Sequence, residues 1–372
     1  MQLAYSEKYR ALQDEVRAFI AKWGHLSPKP GGGRQKPSQK ALDWQKLLLE
    51  QGYFARNIPT QYGGFGLPLD VLELAVIAEE IAKGNVYPGI MNQGISMLVP
   101  TLLEVGTKEQ CAKWIEPTIR GEIIWCQGYS EPGSGSDLAA AKTRAEVVDA
   151  HFVINGQKIW TSFGAVADYV YLICRTSTDG PKHAGISEIV VPMDTPGVTV
   201  RPIRDLIDNR HFCEVWYEDV RVPASNLVGQ EGGSFKQTMR QLEHERGGID
   251  RLLSNRALYL DALERADASD PLVRQDIARL ETGYRLGRLL VLRETLRQAP
   301  PSFSAATKTF CTEHEQRVAD FVGRVAGADA LVWGRTARGL CYAPGYTIMG
   351  GTSNVLRNIM GERVLGLPRE PR

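Results

Sequence analysis

Cys126-Gln127-Gly128-Tyr129-Ser130-Glu131-Pro132-Gly133-Ser134-Gly135-Ser136-Asp137 holds three glycines, three serines and one proline within twelve residues. A stretch of this composition cannot form a regular helix or strand. The apolar run Ile123-Ile124-Trp125-Cys126 leads directly into it, so we expect a strand that ends in a polar loop. Such a loop exposes backbone N–H groups and small hydroxyls to a flat or anionic ligand. Taken alone, the same composition is equally typical of an ordinary surface turn.

Two further stretches matter because of their order along the chain and their separation from the first. They are Gly156-Gln157-Lys158-Ile159-Trp160-Thr161-Ser162, and Gly350-Gly351-Thr352-Ser353-Asn354-Val355-Leu356-Arg357-Asn358 running into Glu362-Arg363-Val364-Leu365-Gly366-Leu367-Pro368-Arg369. Together the three stretches closely resemble the acyl-CoA dehydrogenase family of flavoproteins. The resemblance covers essentially the whole chain. Each stretch is weakly specific by itself, whereas three in register are not expected by chance.

The length and composition of the chain exclude several classes of protein. At 372 residues the chain exceeds the usual size of one hydrophobic core, so two or three packed domains are expected. The formal net charge of +1, with both signs interspersed, provides no basic surface for nucleic acid. No apolar run approaches the roughly 18 residues that span a bilayer, and the N-terminus lacks an apolar signal core. We expect a soluble, cytoplasmic protein.

The six cysteines are widely scattered, without C-x-x-C or Cys/His spacing. This argues against a disulfide framework and against a metal site, and it favours reduced thiols in the core. Neither G-x-G-x-x-G nor the Walker pattern occurs, so a Rossmann dinucleotide site and a P-loop are disfavoured.

Hydrophobic periodicity divides the chain into three parts. Helical patterning occupies residues 1–122, where Ser38, Asp70 and Thr107 are predicted helix caps. The period changes to two over residues 123–227, where Asn155-Gly156 predicts a hairpin turn within a mainly antiparallel sandwich or barrel. Over residues 228–372 the helical period returns.

The C-terminal part includes a helix that begins at Asp270-Pro271, where proline at the first position has no N–H to satisfy. The expected fold class is therefore α+β. It comprises an N-terminal α-helical domain, a middle β-domain and a C-terminal α-helical domain, which the resemblance implies is a four-helix bundle.

The chemistry of the family requires a cofactor. Dehydrogenation between the α and β carbons of a thioester needs a hydride acceptor, and no amino-acid side chain can act as one. The resemblance implies FAD, with Ser130 and Ser162 near the flavin's N5 and pyrimidine edge and Trp160 beside the isoalloxazine. Gln127 is assigned to the same site. A tryptophan on a strand is otherwise more typical of plain core.

The resemblance assigns residues to the rest of the site as well. Thr352 and Asn354 lie at a predicted helix start, where N–H groups and the helix dipole suit the cofactor's phosphates, although Thr352 could equally serve as a simple cap. Ser136 corresponds to a contact with the acyl-CoA chain.

The general base requires a choice between two positions. Many family members carry the catalytic glutamate just before the Gly-Thr of the C-terminal motif, where this chain has Gly350. A second group carries it on a long helix, immediately before an arginine, and there this chain reads Leu242-Glu243-His244-Glu245-Arg246. Glu245 is therefore the expected base, with Glu243 and Arg246 near the substrate. An isolated Glu-x-Glu-Arg would instead indicate a solvated helix face. With no side chain at Gly350, we expect more room around the α carbon, which would suit branched or bulky acyl groups.

One departure from the family concerns assembly. Members commonly have an Arg-x-x-Phe-Gly stretch through which one subunit holds the flavin pyrophosphate of its neighbour. Here the region reads Glu264-Arg265-Ala266-Asp267-Ala268-Ser269-Asp270-Pro271, without the Phe-Gly turn. Arg265 is retained as a candidate cation. We therefore expect the neighbour-supplied half of the site to be weakened, as it is in some similar hetero-oligomeric members that act on steroid side chains.

The expected function is an FAD-dependent acyl-CoA dehydrogenase that forms a trans-2-enoyl-CoA and passes electrons to an electron-transfer flavoprotein. We expect a homo- or hetero-oligomer, either a dimer or a tetramer. Two alternatives remain open. One is a non-catalytic or half-site partner subunit, and the other is a flavin monooxygenase or oxidase of the same fold.

Overall fold

The structure is a computed structural model that describes residues 5–28, 36–90, 92–246 and 250–369. The side chains at positions 243–246 and 250 lie outside the described part. Among these described residues, five α-helices precede the sheet: α1 Glu7–Trp23, α2 Gln39–Glu50, α3 Val71–Lys83, α4 Val99–Val105 and α5 Lys108–Ile119. Within the same described part, seven α-helices follow it: α6 Ser234–Arg246, α7 Asp250–Leu253, α8 Arg256–Leu263, α9 Pro271–Thr295, α10 Ser304–Ala326, α11 Arg335–Tyr346 and α12 Ser353–Ile359.

The predicted caps of the N-terminal helices are confirmed. The Ser38 side chain accepts the N–H of Ala41, and the Asp70 carboxylate accepts two N–H groups at the start of α3. Thr107 and Gln110 form both hydrogen bonds of a capping box. These bonds satisfy N–H groups that have no partner within the helix, which is why the local sequence indicates the helix starts correctly.

The middle of the chain forms one hydrogen-bonded sheet. Its strands are β1 Trp125–Gly128, β2 Arg144–Val148, β3 His151–Ser162, β4 Tyr169–Arg175, β5 Ile186–Pro192, β6 Val198–Ile203, β7 Phe212–Pro223 and β8 Leu227–Val228. Their order is β6-β7-β3-β2-β4-β5-β8, with β1 also paired to β4. The β1–β4 and β2–β4 pairings are parallel and the others are antiparallel. Apolar side chains that include Phe152, Leu172 and Val215 form its core.

The hairpin turn predicted at Asn155-Gly156 is wrong. Both residues lie inside β3, at a register shift in its pairing with β7. The turn between β2 and β3 is formed instead by Asp149 and Ala150, whose φ angles of 49° and 57° suit a type I′ turn. At position 156 a side chain would come within 2.6 Å of the Thr143 hydroxyl, so the glycine permits a close approach of the backbone.

The C-terminal helices have their own core. Asp270 caps α9 as predicted, and its side chain accepts the N–H of Leu272. Tyr259, Leu280 and Phe321 are among the buried residues that pack between α8, α9 and α10. The expected order of a helical, a β and a second helical domain is confirmed.

Two compact units make up the chain. One comprises Met1–Arg204 with Arg210–Thr238, and the other comprises Asp205–Asn209 with Met239–Arg372. All six cysteines are free, and five of them are buried. Within the described ranges, no helix is both long enough and apolar enough to cross a membrane.

Candidate active site

The loop after β1 is a compact turn. Glu131 and Ser134 exchange backbone hydrogen bonds of 2.8 and 3.0 Å, and the Ser134 hydroxyl donates to the Asp137 carbonyl at 2.7 Å. A Cβ added at Gly133 or Gly135 would meet no atom within 4 Å. The expectation of a strand that delivers a polar, backbone-exposing loop is confirmed.

A buried ion pair underlies this loop. The Nζ of Lys158, which is 0% exposed, lies 2.8 Å from Oε1 of Glu131 and also donates to the Tyr129 carbonyl at 3.2 Å. The Glu131 carboxylate further accepts the backbone N–H groups of Lys142 and Thr143 at 2.7 and 2.8 Å. These bonds hold the residues on both sides of Ser130.

Opposing effects act on the pKa values of both groups. Burial by itself would raise the pKa of Glu131, but the Lys158 ammonium and the two backbone donors outweigh it and hold that pKa below its usual value. Burial lowers the pKa of Lys158, and the Glu131 charge opposes this shift. The attraction between the two groups and the hydrogen bonds to them offset much of the cost of removing them from water.

Backbone contacts bring Ser130 and Trp160 together. The N–H of Ile159 donates to the Ser130 carbonyl at 2.8 Å. Trp160 follows at a register shift of β3, with a φ of 61° and 56% of its surface exposed. Its ring packs edge-on against Phe212, with centroids 5.8 Å apart. A bulky residue at positive φ is uncommon and costs conformational energy.

Two other residues that are predicted to bind the cofactor lie on β1 and β3. Ser162 ends β3 and is half-buried. Gln127 lies on β1, also half-buried, with its amide nitrogen 3.4 Å from the Met97 sulfur. An exposed indole on a strained backbone, beside small hydroxyls and an open glycine loop, fits a flat aromatic group such as a flavin ring.

Ser136 is exposed towards the end of the loop. The neighbouring Asp137 forms an ion pair with Lys182. The contact between Ser136 and the acyl chain of a substrate stays a prediction.

The C-terminal motif begins a short helix. Thr352 is its cap and accepts the N–H of Val355 at 3.3 Å, whereas Asn354 is exposed. Gly350 and Gly351 precede it with φ angles of 65° and 98°. Glycine adopts the left-handed backbone at position 350 without the strain that a side chain would cause there.

A buried lysine holds the same turn. Lys308 on α10 is 0% exposed, and its Nζ donates to the carbonyls of Tyr346 and Gly351 at 3.1 and 2.8 Å. No sequence pattern predicted a role for Lys308, Glu131 or Lys158. For Lys158 a signal was present, since it shares the alternation of the buried Phe152 and Ile154 along β3.

The predicted base lies on α6. Positions 243, 245 and 246 fall in the last turn of this helix, Ser234–Arg246. The side chains of Glu243, Glu245 and Arg246 lie outside the described residues. Their assignments therefore stay predictions.

Comparisons with known proteins agree with this architecture. The N-terminal, middle and C-terminal domains of acyl-CoA dehydrogenase match residues 6–122, 126–220 and 232–365. Acyl-CoA dehydrogenase IpdE1 of Mycolicibacterium smegmatis is 32% identical over 98% of both chains. The solved Tcur3481-Tcur3483 steroid ACAD is 30% identical, with a TM-score of 0.85 and 100% coverage of both chains. The ChsE4-ChsE5 complex from Mycobacterium tuberculosis is 28% identical, with a TM-score of 0.82 and the same coverage.

A family assignment follows from the three matched domains and the full-length relatives. The chain belongs to the acyl-CoA dehydrogenase family, whose members are flavoprotein oxidoreductases that act on CH–CH groups.

Proposed function

We propose that this protein catalyses the α,β-dehydrogenation of an acyl-CoA thioester to a trans-2-enoyl-CoA with FAD as its cofactor. The observation that carries the proposal is the surface formed by Ser130 and the exposed Trp160, which the buried Glu131–Lys158 pair supports from beneath. Bound FAD supplies the hydride acceptor that side chains lack.

The chain's own residues have distinct roles in this reaction. Glu245 accepts the proton from the α carbon. Ser130 and Ser162 donate hydrogen bonds to the flavin, Gln127 contacts it, and Trp160 packs beside its ring.

Other residues hold the ends of the two ligands. Thr352 and Asn354 contact the cofactor at the start of α12, near its phosphates. Ser136 contacts the acyl-CoA chain, and Glu243 and Arg246 bind the substrate close to the base.

The proposed substrate carries a branched or bulky acyl group, such as a steroid side chain. Gly350 presents no side chain at the position where many relatives carry the base, which leaves space near the α carbon. The similarity to a solved steroid acyl-CoA dehydrogenase supports the same class of substrate.

The proposed function and substrate are tested by the absorption spectrum of the purified protein, followed by anaerobic bleaching of the flavin band with linear, branched and steroid-derived acyl-CoAs. Bleaching by none of these thioesters would count against the proposal.

The proposed assembly is an oligomer, and the missing Phe-Gly turn after Arg265 favours one with two different subunits. The two-chain ChsE4-ChsE5 complex is a similar protein with that arrangement. Light scattering combined with flavin quantification tests the proposal. A monomer that holds one FAD per chain would contradict it.

The same missing turn favours a second candidate function, a subunit that completes the flavin site of a partner without catalysing the reaction itself. The two candidates differ in one measurement. If this chain is the catalytic subunit, Glu245→Gln in the assembled protein slows flavin reduction, whereas in a non-catalytic partner it does not.

The electron acceptor is proposed to be an electron-transfer flavoprotein. Faster reoxidation by oxygen than by that protein would instead indicate an oxidase.

A further inference from the structure

A buried carboxylate on β5 gathers side chains from several elements. Glu188 is 0% exposed. The Tyr129 hydroxyl donates to its carboxylate at 3.1 Å, and the Thr238 hydroxyl lies 2.8 Å away. The Tyr171 hydroxyl and the Gln237 amide also donate to it. The donors come from the loop after β1, from β4 and from α6.

The backbone of β5 holds the start of α6 as well. The N–H of Glu188 donates to the Ser234 hydroxyl at 3.0 Å, and the Ser187 hydroxyl accepts the N–H of Gly232 at 2.8 Å. Ser234 and Thr238 are both buried on the first turns of α6. Adjacent residues of one strand thus fix both the entry to α6 and its first turn.

Two of the residues that bond to Glu188 are close in sequence to proposed active-site residues. Tyr129 directly precedes Ser130, and its carbonyl accepts a hydrogen bond from Lys158. Thr238 lies on the helix that contains position 245, seven residues earlier. Seven residues of an α-helix correspond to about two turns, or roughly 10 Å along its axis.

Stability alone does not account for a carboxylate at this position. A buried ionisable group costs free energy that a well-packed apolar side chain would not. Burial raises the pKa of Glu188, and the surrounding donors oppose that shift because they stabilise the charged form. A carboxylate can instead orient the groups around it, because its two oxygens accept hydrogen bonds from several donors at defined angles.

We propose that Glu188 is a positioning residue that holds the loop carrying Ser130 and the first turns of α6 in one arrangement, and through α6 places Glu245. The proposal rests on the proposed function in one respect, the role of Glu245 as the base. The effect of Glu188 on the local backbone does not depend on the role of Glu245.

The first test uses Glu188→Gln, which keeps the shape of the side chain but replaces one acceptor oxygen with a donor. In the apoprotein, hydrogen exchange at residues 128–131 and 234–241 should accelerate by about tenfold or more. Tyr171→Phe removes a single donor and should produce a smaller change in the same segments. Glu80→Gln is the matched control, because Glu80 is 3% exposed and pairs with Arg17 and Lys83 in the N-terminal domain. The proposal would be overturned if Glu188→Gln left hydrogen exchange in these two segments unchanged, or if Glu80→Gln accelerated it there by the same factor.

The second test concerns the reaction of the assembled holoprotein. Glu188→Gln should slow flavin reduction by about tenfold or more while the substrate concentration for half-maximal rate changes little. In a Glu245→Gln background the same substitution should have little further effect, since residues that act through one group are not additive. Fully additive effects would overturn the link to Glu245. If Glu245→Gln alone leaves the rate unchanged, the assignment of the base fails, and hydrogen exchange still decides the role of Glu188.

Discussion

The ammonium of Lys158 lies 2.8 Å from the carboxylate of Glu131, and both groups are buried beneath the loop that follows β1. One residue belongs to that loop and the other to β3, two positions before Trp160. The pair therefore connects the two stretches that are proposed to bind the flavin ring, and its loss should affect both stability and cofactor binding.

Lys158→Met should be strongly destabilising. It leaves the Glu131 carboxylate buried with its backbone donors but without a cation, a change that typically costs about 3–5 kcal/mol. We expect a lower free energy of unfolding in urea and an FAD dissociation constant at least tenfold higher by fluorescence titration. Arg56→Met is the control, because it breaks the largely buried pair of Arg56 with Glu73 in the N-terminal domain. If both variants weaken FAD binding in proportion to lost stability, the pair has no specific role at the site.

Trp160→Gly should separate cofactor binding from folding. The substitution removes a side chain that is 56% exposed and releases a positive-φ strain of about 1–2 kcal/mol. That release offsets the lost packing on Phe212, so the melting temperature of the apoprotein should change little while FAD binding weakens by about tenfold. Trp333→Gly, at a position that is 51% exposed on the C-terminal side of the chain, should leave FAD binding unchanged. Equal FAD affinity in the Trp160 variant and the wild type would exclude the proposed stacking.

The free energy of unfolding should depend on pH because of the titration of Glu315 on α10. Burial raises its pKa from 4.5 to about 8, with the N–H of Asn255 opposing the shift. The unfolded chain releases this proton above pH 4.5 and the folded protein keeps it until about pH 8, so stability falls as pH rises through that window. Burial lowers the pKa of the adjacent His314 from 6.5 to about 4, which makes stability rise with pH up to 6.5.

These two effects cancel between pH 4.5 and 6.5, so the net loss should occur between pH 6.5 and 8. Its size approaches about 1.4 kcal/mol for each pH unit. Glu315→Gln keeps an acceptor for Asn255 and should flatten this slope. Urea unfolding of both proteins at pH 6.5 and 8 measures the difference, and identical slopes would contradict the assignment.

Glu245→Gln should retain FAD and substrate binding but slow flavin reduction by about 10²–10⁴-fold, the usual contribution of a positioned base. Stopped-flow measurement with an acyl-CoA provides the rate. A rate equal to that of the wild type would show that the base lies elsewhere.

A carboxylate can also be introduced at the alternative position of the base. Gly350 has a φ of 65°, so Gly350→Glu and Gly350→Ala should both destabilise the turn, by about 1–2 kcal/mol. In the Glu245→Gln background, a partial recovery of rate with Glu but not with Ala would indicate that position 350 faces the same α carbon. Equal rates for the two variants would show that it does not.

The sequence by itself determined the order of helical, β and helical domains and the starts of the main helices. Capping and periodicity are local, because the side chains of Ser38, Asp70, Thr107 and Asp270 bond to backbone N–H groups within a few residues. The prediction of Ser130 and Trp160 as cofactor-binding residues likewise came from the sequence, since the resemblance to the family depends only on residue order.

Only the tertiary structure decided the features that join distant segments. Asn155-Gly156 has the local chemistry of a turn, yet β3 continues through it because pairing with β2 and β7 extends the strand. The Glu131–Lys158 pair spans 27 positions, and the donors to Glu188 lie 17 to 59 positions away. A charged side chain is buried only where the fold brings its partners together, and that depends on sheet order and register, which local sequence patterns do not specify.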